Sequence, residues 1–323
     1  MCRKIGRRDV KQLQSVHDRR LLCPVMATVW HLFRALRPKQ WSKNLLLYGS
    51  FLFNLNKLWQ PWSAQMWAYL LQATLGMLVF CALSSGVYLL NDARDVEADR
   101  RHPQKRHRPL ASGALPAWLA VVTAIVLLLG SLLAAVRLSQ PFAASLAIYL
   151  AMQVLYTLWW KHVVILDVFV IASGFVLRAV AGALVISSWI SPWLYIVTFL
   201  GALFLGLCKR RHELLLLDAE AAAHRKILAE YTPQLLDQMI GVTTASTIMA
   251  YSLYTFTADG LPRNHAMMAT IPFVLYGLFR YLYLTYRHDQ GGSPEEILLR
   301  DRPLNVVIGL WLVTAALVLG IGR

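Results

Sequence analysis

Acidic residues are scarce in this sequence. Asp and Glu number 17 against 32 Lys and Arg, and charged residues make up only 15% of the chain. A soluble domain carries nearer a quarter. Cysteine is scarce as well: Cys2, Cys23, Cys81 and Cys208 stand far apart. They form no metal-type pair. No Ser/His/Asp or Cys/His set stands out, which leaves nucleophilic side-chain catalysis without support. Internal repeats are lacking, and so is any polar linker that would mark a second domain.

What the sequence has instead is hydrophobic residues, 57% of the total. They gather into charge-free runs from Met66 to Leu90, Ala114 to Val136, Leu138 to Trp160, Ala179 to Cys208, Gln238 to Ala258 and Pro303 to Gly322. Each is long enough, at about 20 residues, to cross a bilayer core as a helix. Lipid offers the backbone no hydrogen-bond partners, so these runs are helices rather than strands. With three less clean segments they predict an all-α membrane protein of nine spans, near 42–58, 66–90, 115–136, 141–160, 165–186, 192–208, 239–258, 266–286 and 303–321.

The net charge of +15 raises the question of nucleic acid. Its distribution answers in favour of topology. With the N-terminus inside, the outer segments hold only Lys57, Arg137, Arg263 and Arg323, and the spans hold Arg178 and Arg280. Cytosolic bias of this kind orients inner-membrane proteins. The reading is a multi-pass bacterial inner (plasma) membrane protein with a cytosolic N-terminus and active site, and no nucleic-acid partner. Residues 1–25 carry Arg3, Lys4, Arg7, Arg8, Lys11, Arg19 and Arg20 with no apolar stretch. They read as a disordered basic cytosolic arm, not a cleaved signal. Met26 is an alternative start, and residues 26–323 form the membrane domain.

The second span runs directly into Asn91, Asp92, Asp95 and Asp99. Asn91, Asp95 and Asp99 recur every four residues, on one helix face. Like charges at that spacing repel. A hard cation relieves the repulsion, and Mg2+ takes one or two carboxylates and completes its shell with water and substrate phosphates. Asn91, Asp92, Asp95 and Asp99 are therefore the candidate metal ligands, with Asp92, Asp95 and Asp99 as the catalytic set. The basic, proline-punctuated run that follows includes Lys105, Arg106 and Arg108. Beside a metal it suits a polyphosphate, since Arg grips phosphate through two donors.

An acidic helix after the second of nine spans resembles the UbiA-type intramembrane prenyltransferase superfamily. Further pieces resemble its branch of decaprenyl-phosphate phosphoribosyltransferases. These are Arg37-Pro38-Lys39-Gln40-Trp41-Ser42-Lys43-Asn44, His102-Pro103 before Lys105-Arg106-His107-Arg108-Pro109, and the segment from Leu166-Asp167 to Arg178. Lys209-Arg210-Arg211-His212-Glu213 and Pro294-Glu295-Glu296 with Arg300-Asp301-Arg302 complete the likeness. Members that use a prenyl diphosphate usually carry a second acidic repeat after the sixth span. Here Lys209, Arg210 and Arg211 stand there with Glu213. Fixed cations in place of metal ligands suit a donor with an extra phosphate.

The resemblance implies Mg2+-dependent transfer of a 5-phosphoribosyl group from phosphoribosyl diphosphate (PRPP) to polyprenyl (decaprenyl) phosphate. The alternative is an aromatic prenyltransferase acting on 4-hydroxybenzoate or a similar ring. A transporter would show interrupted, paired helices, and none is convincing. Lys209, Arg210 and Glu213 join Lys105, Arg106 and Arg108 as candidate substrate ligands. Asp167 and Arg178 lie eleven residues apart, three turns along one face, and charges within a bilayer tend to face a cavity or a partner. Lys43, Asn44 and Tyr156 are weaker candidates at span ends. A homo-oligomer fits the resemblance, though no interface is legible in the sequence.

Overall fold

The charge-free runs become helices in the computed structural model, which describes residues 24–101, 105–189, 191–217, 226–258, 261–288, 291–292 and 294–321. The basic arm up to residue 23, and His102-Pro103 of the basic run, lie outside the described residues. In chain order the α-helices are α1 (Pro24–Ala35), α2 (Tyr48–Phe53), α3 (Ala64–Arg94), α4 (Val96–Arg101), α5 (Ala117–Leu138) and α6 (Gln140–Leu158). They continue with α7 (Leu166–Val185), α8 (Pro192–Leu217), α9 (Pro233–Thr257), α10 (Ile271–Arg287), α11 (Pro294–Arg300) and α12 (Arg302–Ile321). Short 3-10 turns connect several of them. The described residues form no strand, only one isolated bridge between Leu55 and Trp59.

Among the described residues seven segments are long and apolar enough to cross a membrane: Ala64–Arg94, Ala117–Leu138, Gln140–Leu158, Leu166–Val185, Pro192–Leu215, Ala266–Arg287 and Arg302–Gly320. This makes the chain a multi-pass membrane protein. Two of the nine expected spans take another form. The first, near 42–58, is a 3-10 segment (Pro38–Leu47) followed by the single short helix α2. Asparagines compete with the helical ladder here. The Asn54 side chain donates to Ser50 O at 2.7 Å, and Asn56, at φ +59, donates to Gly320 O at 2.9 Å. The other, near 239–258, is helical as α9 but carries Thr243, Thr244, Thr247 and Thr255 on its buried face. Their hydroxyls donate back to carbonyls three or four residues earlier, which keeps the face satisfied while lowering its hydropathy.

The chain divides into two compact units. The smaller holds the described residues up to Pro38 together with Ser85–Val126. The larger holds Lys39–Ser84 and everything from Leu127 on. Helices α3 and α5 each contribute to both.

The smaller unit buries Ala35, Leu89, Leu110, Leu115, Ala120 and Ala124. Ser85 donates to Leu36 O at 2.9 Å, pinning the end of α1 to the last turns of α3. Arg100 donates to Ala111 O at 3.2 Å, which folds the basic run back against α4.

In the larger unit α7 packs on α6 and α8, α8 on α9, and α10 on α12. One core joins Val168, Phe204, Leu207, Leu236, Tyr281 and Leu304. Another joins Leu47, Phe80, Phe142, Leu146, Tyr149 and Val185. Small residues let α7 come close to its neighbours. A Cβ added at Gly182 would sit 2.2 Å from Leu47 O, so only glycine permits that contact. Large apolar side chains such as Leu129 and Leu133 on α5 and Val313 and Leu317 on α12 are exposed, as lipid-facing positions require.

Candidate active site

The acidic segment lies where α3 ends. The helix breaks at Asp95, yet the Asp95 N–H donates to Asn91 O at 3.0 Å and the Asp99 N–H donates to Asp95 O at 2.8 Å. The one-turn spacing of Asn91, Asp95 and Asp99 therefore survives the interruption. Asp92 and Asp99 are buried, and Asn91 and Asp95 are half-buried.

The two buried carboxylates meet arginine. Arg108 Nη1 donates to Asp92 Oδ1 at 3.0 Å and to Asp99 Oδ2 at 2.6 Å. Arg37 Nη2 donates to the same Asp92 Oδ1. Both arginine side chains remain about a third exposed, at 28% and 30%. Arg37 sits just past α1 in the left-handed region, at φ +56, with its guanidinium 5.0 Å from the Tyr88 ring centre. A non-glycine residue in that conformation is strained. Arg34, Arg37, His107, Arg108 and Asp92, with Ala35 and Pro109, line a cavity of about 170 Å3. Lys105 and Arg106 stand exposed on the 3-10 turn Lys105–His107.

These donors suit a hard divalent ion that arrives with phosphate. All are oxygen atoms, which excludes a thiophilic metal, and two carboxylates are what Mg2+ normally takes from protein. Among the described residues no group of three or more His, Cys, Asp or Glu side chains gathers as a metal cluster.

In the larger unit five of the predicted residues, Asn44, Asp167, Arg178, Arg210 and Glu213, fall into two networks. Asp167, at the start of α7, accepts from Arg210 Nε at 2.7 Å and from the Tyr231 hydroxyl at 3.0 Å. Arg210 Nη1 also pairs with Glu213 one turn on. The Arg210 side chain is 3% exposed and that of Asp167 is fully enclosed. Sequence reasoning expected Arg210 to grip substrate phosphate, whereas the structure turns it into the core against two carboxylates. The Tyr231 oxygen also accepts the Ile165 N–H at 2.7 Å. Ile165 is held at φ +67, an unusual conformation for a β-branched residue. Burial, chiefly, pushes the Tyr231 phenol up to about 12, with the Asp167 carboxylate adding to the shift.

The second network centres on Arg178. Its Nε donates to Asn44 Oδ1 at 2.8 Å, Nη1 to Gly174 O at 2.7 Å and Nη2 to the Tyr149 hydroxyl at 2.7 Å. Phe80, Tyr149 and Phe175 surround the guanidinium, with ring centres between 4.9 and 5.4 Å away. Asn44 is fully buried and donates in turn to Cys81 Sγ at 3.1 Å. Arg178 and Asn44 thus tie the 3-10 segment to α3, α6 and α7, where open ligand-facing positions were expected. Lys43, Tyr156, Lys209 and Glu213 are half-buried.

Sequence reasoning missed Arg34 and His107 as cavity-lining residues and Arg37, Tyr149 and Tyr231 as partners of the predicted ones. Arg37 stood in a motif already singled out and His107 within the basic run. Nothing in the sequence marked Tyr149 or Tyr231.

The UbiA prenyltransferase family model matches residues 58–296. The chain belongs to this family. Decaprenyl-phosphate phosphoribosyltransferase of Mycobacterium tuberculosis (strain H37Rv) is 35% identical over 292 residues, covering 90% of this chain and 94% of the relative. The protein of the same name from Corynebacterium glutamicum is 35% identical over 292 residues, covering 87% and 84%. Among solved structures, a UbiA homolog from Archaeoglobus fulgidus bound to GPP and Mg2+ superposes with a TM-score of 0.68 at 20% identity, covering 90% of this chain and all of that one. That likeness establishes the UbiA fold, and membership of the family makes the protein a transferase.

Proposed function

We propose that this chain transfers the 5-phosphoribosyl group of PRPP to a polyprenyl phosphate in the membrane, releasing diphosphate. One observation carries the proposal: 35% identity along nearly the whole chain to enzymes named for decaprenyl-phosphate phosphoribosyl transfer. The buried carboxylate pair with its two arginines supports it. The reading places the site on the cytosolic side of a bacterial inner membrane, where the basic connections lie.

Asp92 and Asp99, with Asn91 and Asp95 alongside, would hold Mg2+, which neutralises diphosphate as a leaving group. Arg37 and Arg108 face the phosphates of the donor, with Lys105 and Arg106 adding positive potential, a preorganised electrostatic contribution. The bond from ribose C1 to the diphosphate oxygen breaks as a bond from C1 to the acceptor phosphate oxygen forms, inverting the anomeric centre. The acceptor is already an anion at neutral pH, so these residues supply charge and position and no general base. Asp167, Arg210 and Glu213, and separately Asn44, Tyr149 and Arg178, hold the helices in register around the apolar bundle.

The test is incubation of the purified full chain with ribose-labelled PRPP and polyprenyl phosphate. Label passing into the organic phase is the expected result. Label remaining in water, with a prenyl diphosphate consumed in a parallel reaction, would instead assign it to prenyl transfer.

A further inference from the structure

We infer that Arg37 and Arg108 are exchangeable counter-ions. They neutralise Asp92 and Asp99 while the site is empty, and turn to phosphate when a divalent ion takes the carboxylates. The inference rests on the proposed phosphoribosyl transfer and adds to it a coupling between metal and phosphate binding.

The geometry calls for an exchange. Asp92 Oδ1 accepts from both arginines, and Asp99 Oδ2 shares Arg108 with it. Both carboxylate side chains are at most 6% exposed, so a cation that takes Asp92 Oδ1 or Asp99 Oδ2 meets an oxygen already bonded to arginine. Arginine cannot lose its proton to make way. What drives it aside is repulsion, since a guanidinium left beside a divalent ion in a partly desolvated pocket is strongly repelled. The cavity of about 170 Å3 gives it somewhere to turn. Arg34, His107 and both arginines line that cavity, and arginine is the side chain best matched to phosphate. The arginine side chains are about a third exposed, unlike the buried acids they hold, and so have solvent on one side into which to turn. The Tyr88 ring beneath the Arg37 guanidinium gives it a resting place once the carboxylate is lost.

The consequence is a coupling between two ligands. Metal alone breaks ion pairs and leaves two arginines facing it. Diphosphate alone finds those arginines occupied. Together the two ligands exchange partners in one step, so each strengthens the binding of the other by the same factor.

Calorimetric titration of the purified full chain with Mg2+ alone, and separately with inorganic diphosphate alone, tests this. Arg37→Gly is the informative variant, because glycine accepts the left-handed backbone at this position. Freeing Asp92 from one competitor should tighten Mg2+ binding about tenfold, while loss of a phosphate partner should weaken diphosphate binding about tenfold. Arg37→Lys keeps the charge without the fork, so it should shift both affinities in the same directions by less; it also serves if the glycine variant fails to fold. If both affinities fall together, Arg37 is only structural. If diphosphate binding falls and Mg2+ binding stays level, Arg37 is only a phosphate grip. Either result overturns the exchange. Transfer from PRPP by the unaltered chain is measured alongside, so that failure of the exchange and failure of the proposed reaction are told apart.

Discussion

Arg108 and Arg210 each meet two carboxylates, and they do so in opposite settings. Arg108 joins Asp92 to Asp99 with 30% of its side chain exposed, beside a cavity lined by further basic groups. Arg210 joins Asp167 to Glu213 with 3% exposed, within a core that includes Leu207, Cys208 and Tyr231. The first pairing is open to replacement by a charged ligand. The second holds Arg210 and Asp167 out of reach of solvent. Two arginines flanked by acids look alike in a sequence, yet exposure and a neighbouring void separate a working ion pair from a fastening.

Substitutions at the sealed cluster sharpen that contrast most. Arg210→Met leaves two carboxylates, one of them fully enclosed, without their cation, and breaking a buried pair of this kind typically costs about 3–5 kcal/mol. Thermal unfolding in detergent should show a large drop in Tm. A drop no greater than for an exposed arginine would merge the two settings.

Tyr231→Phe is gentler. It removes the acceptor for the Ile165 N–H and one donor to Asp167, a loss of roughly 1–3 kcal/mol for buried polar groups left unmatched. Faster hydrogen exchange at the start of α7 would accompany it. Unchanged exchange would show that Ile165 keeps its left-handed conformation without the phenol.

The smallest effect belongs to the ion pair between Arg280 and Asp301 on the larger unit. Hydrogen bonds from Arg280, aided by the Leu304 N–H, hold the Asp301 carboxyl below its usual range. A lowered folded-state pKa contributes stability above the unfolded value, near 4. That contribution fades as pH falls through the lowered value. Asp301→Asn should therefore lower Tm slightly at pH 7 and leave it matched to the parent at strongly acidic pH. Loss of equal size at both would contradict the assignment.

Much of the fold was legible because lipid imposes a simple rule on sequence. Charge-free runs of about 20 residues mark helices, and most of them appear in the structure. The departures come from polar side chains that bond backbone carbonyls, Asn54 and the α9 threonines within a turn of themselves and Asn56 at Gly320. Asn54 and Asn56 end the first expected span early, and the threonines of α9 lower its hydropathy without breaking it. At the site, the four-residue repeat of Asn91, Asp95 and Asp99 was visible because helical spacing is written into sequence. Arg37 was less so: it reaches Asp92 across 55 positions, and long-range pairing leaves no periodic trace. The inward turn of Arg210 and the enclosure of Arg178 by Asn44 and Tyr149 depend likewise on tertiary packing, so a basic run alone could not say which of its members faces a ligand.

The most direct test is the rate of phosphoribosyl transfer from PRPP to polyprenyl phosphate, compared per folded molecule for Asp99→Asn and Arg210→Met. Loss of a carboxylate that steadies the departing diphosphate should slow transfer by about a thousandfold, whereas the sealed arginine should change it by less than about tenfold once misfolded protein is discounted. The reverse order, with Asp99→Asn near normal and Arg210→Met inactive though folded, would move the chemistry to the other cluster and contradict the account.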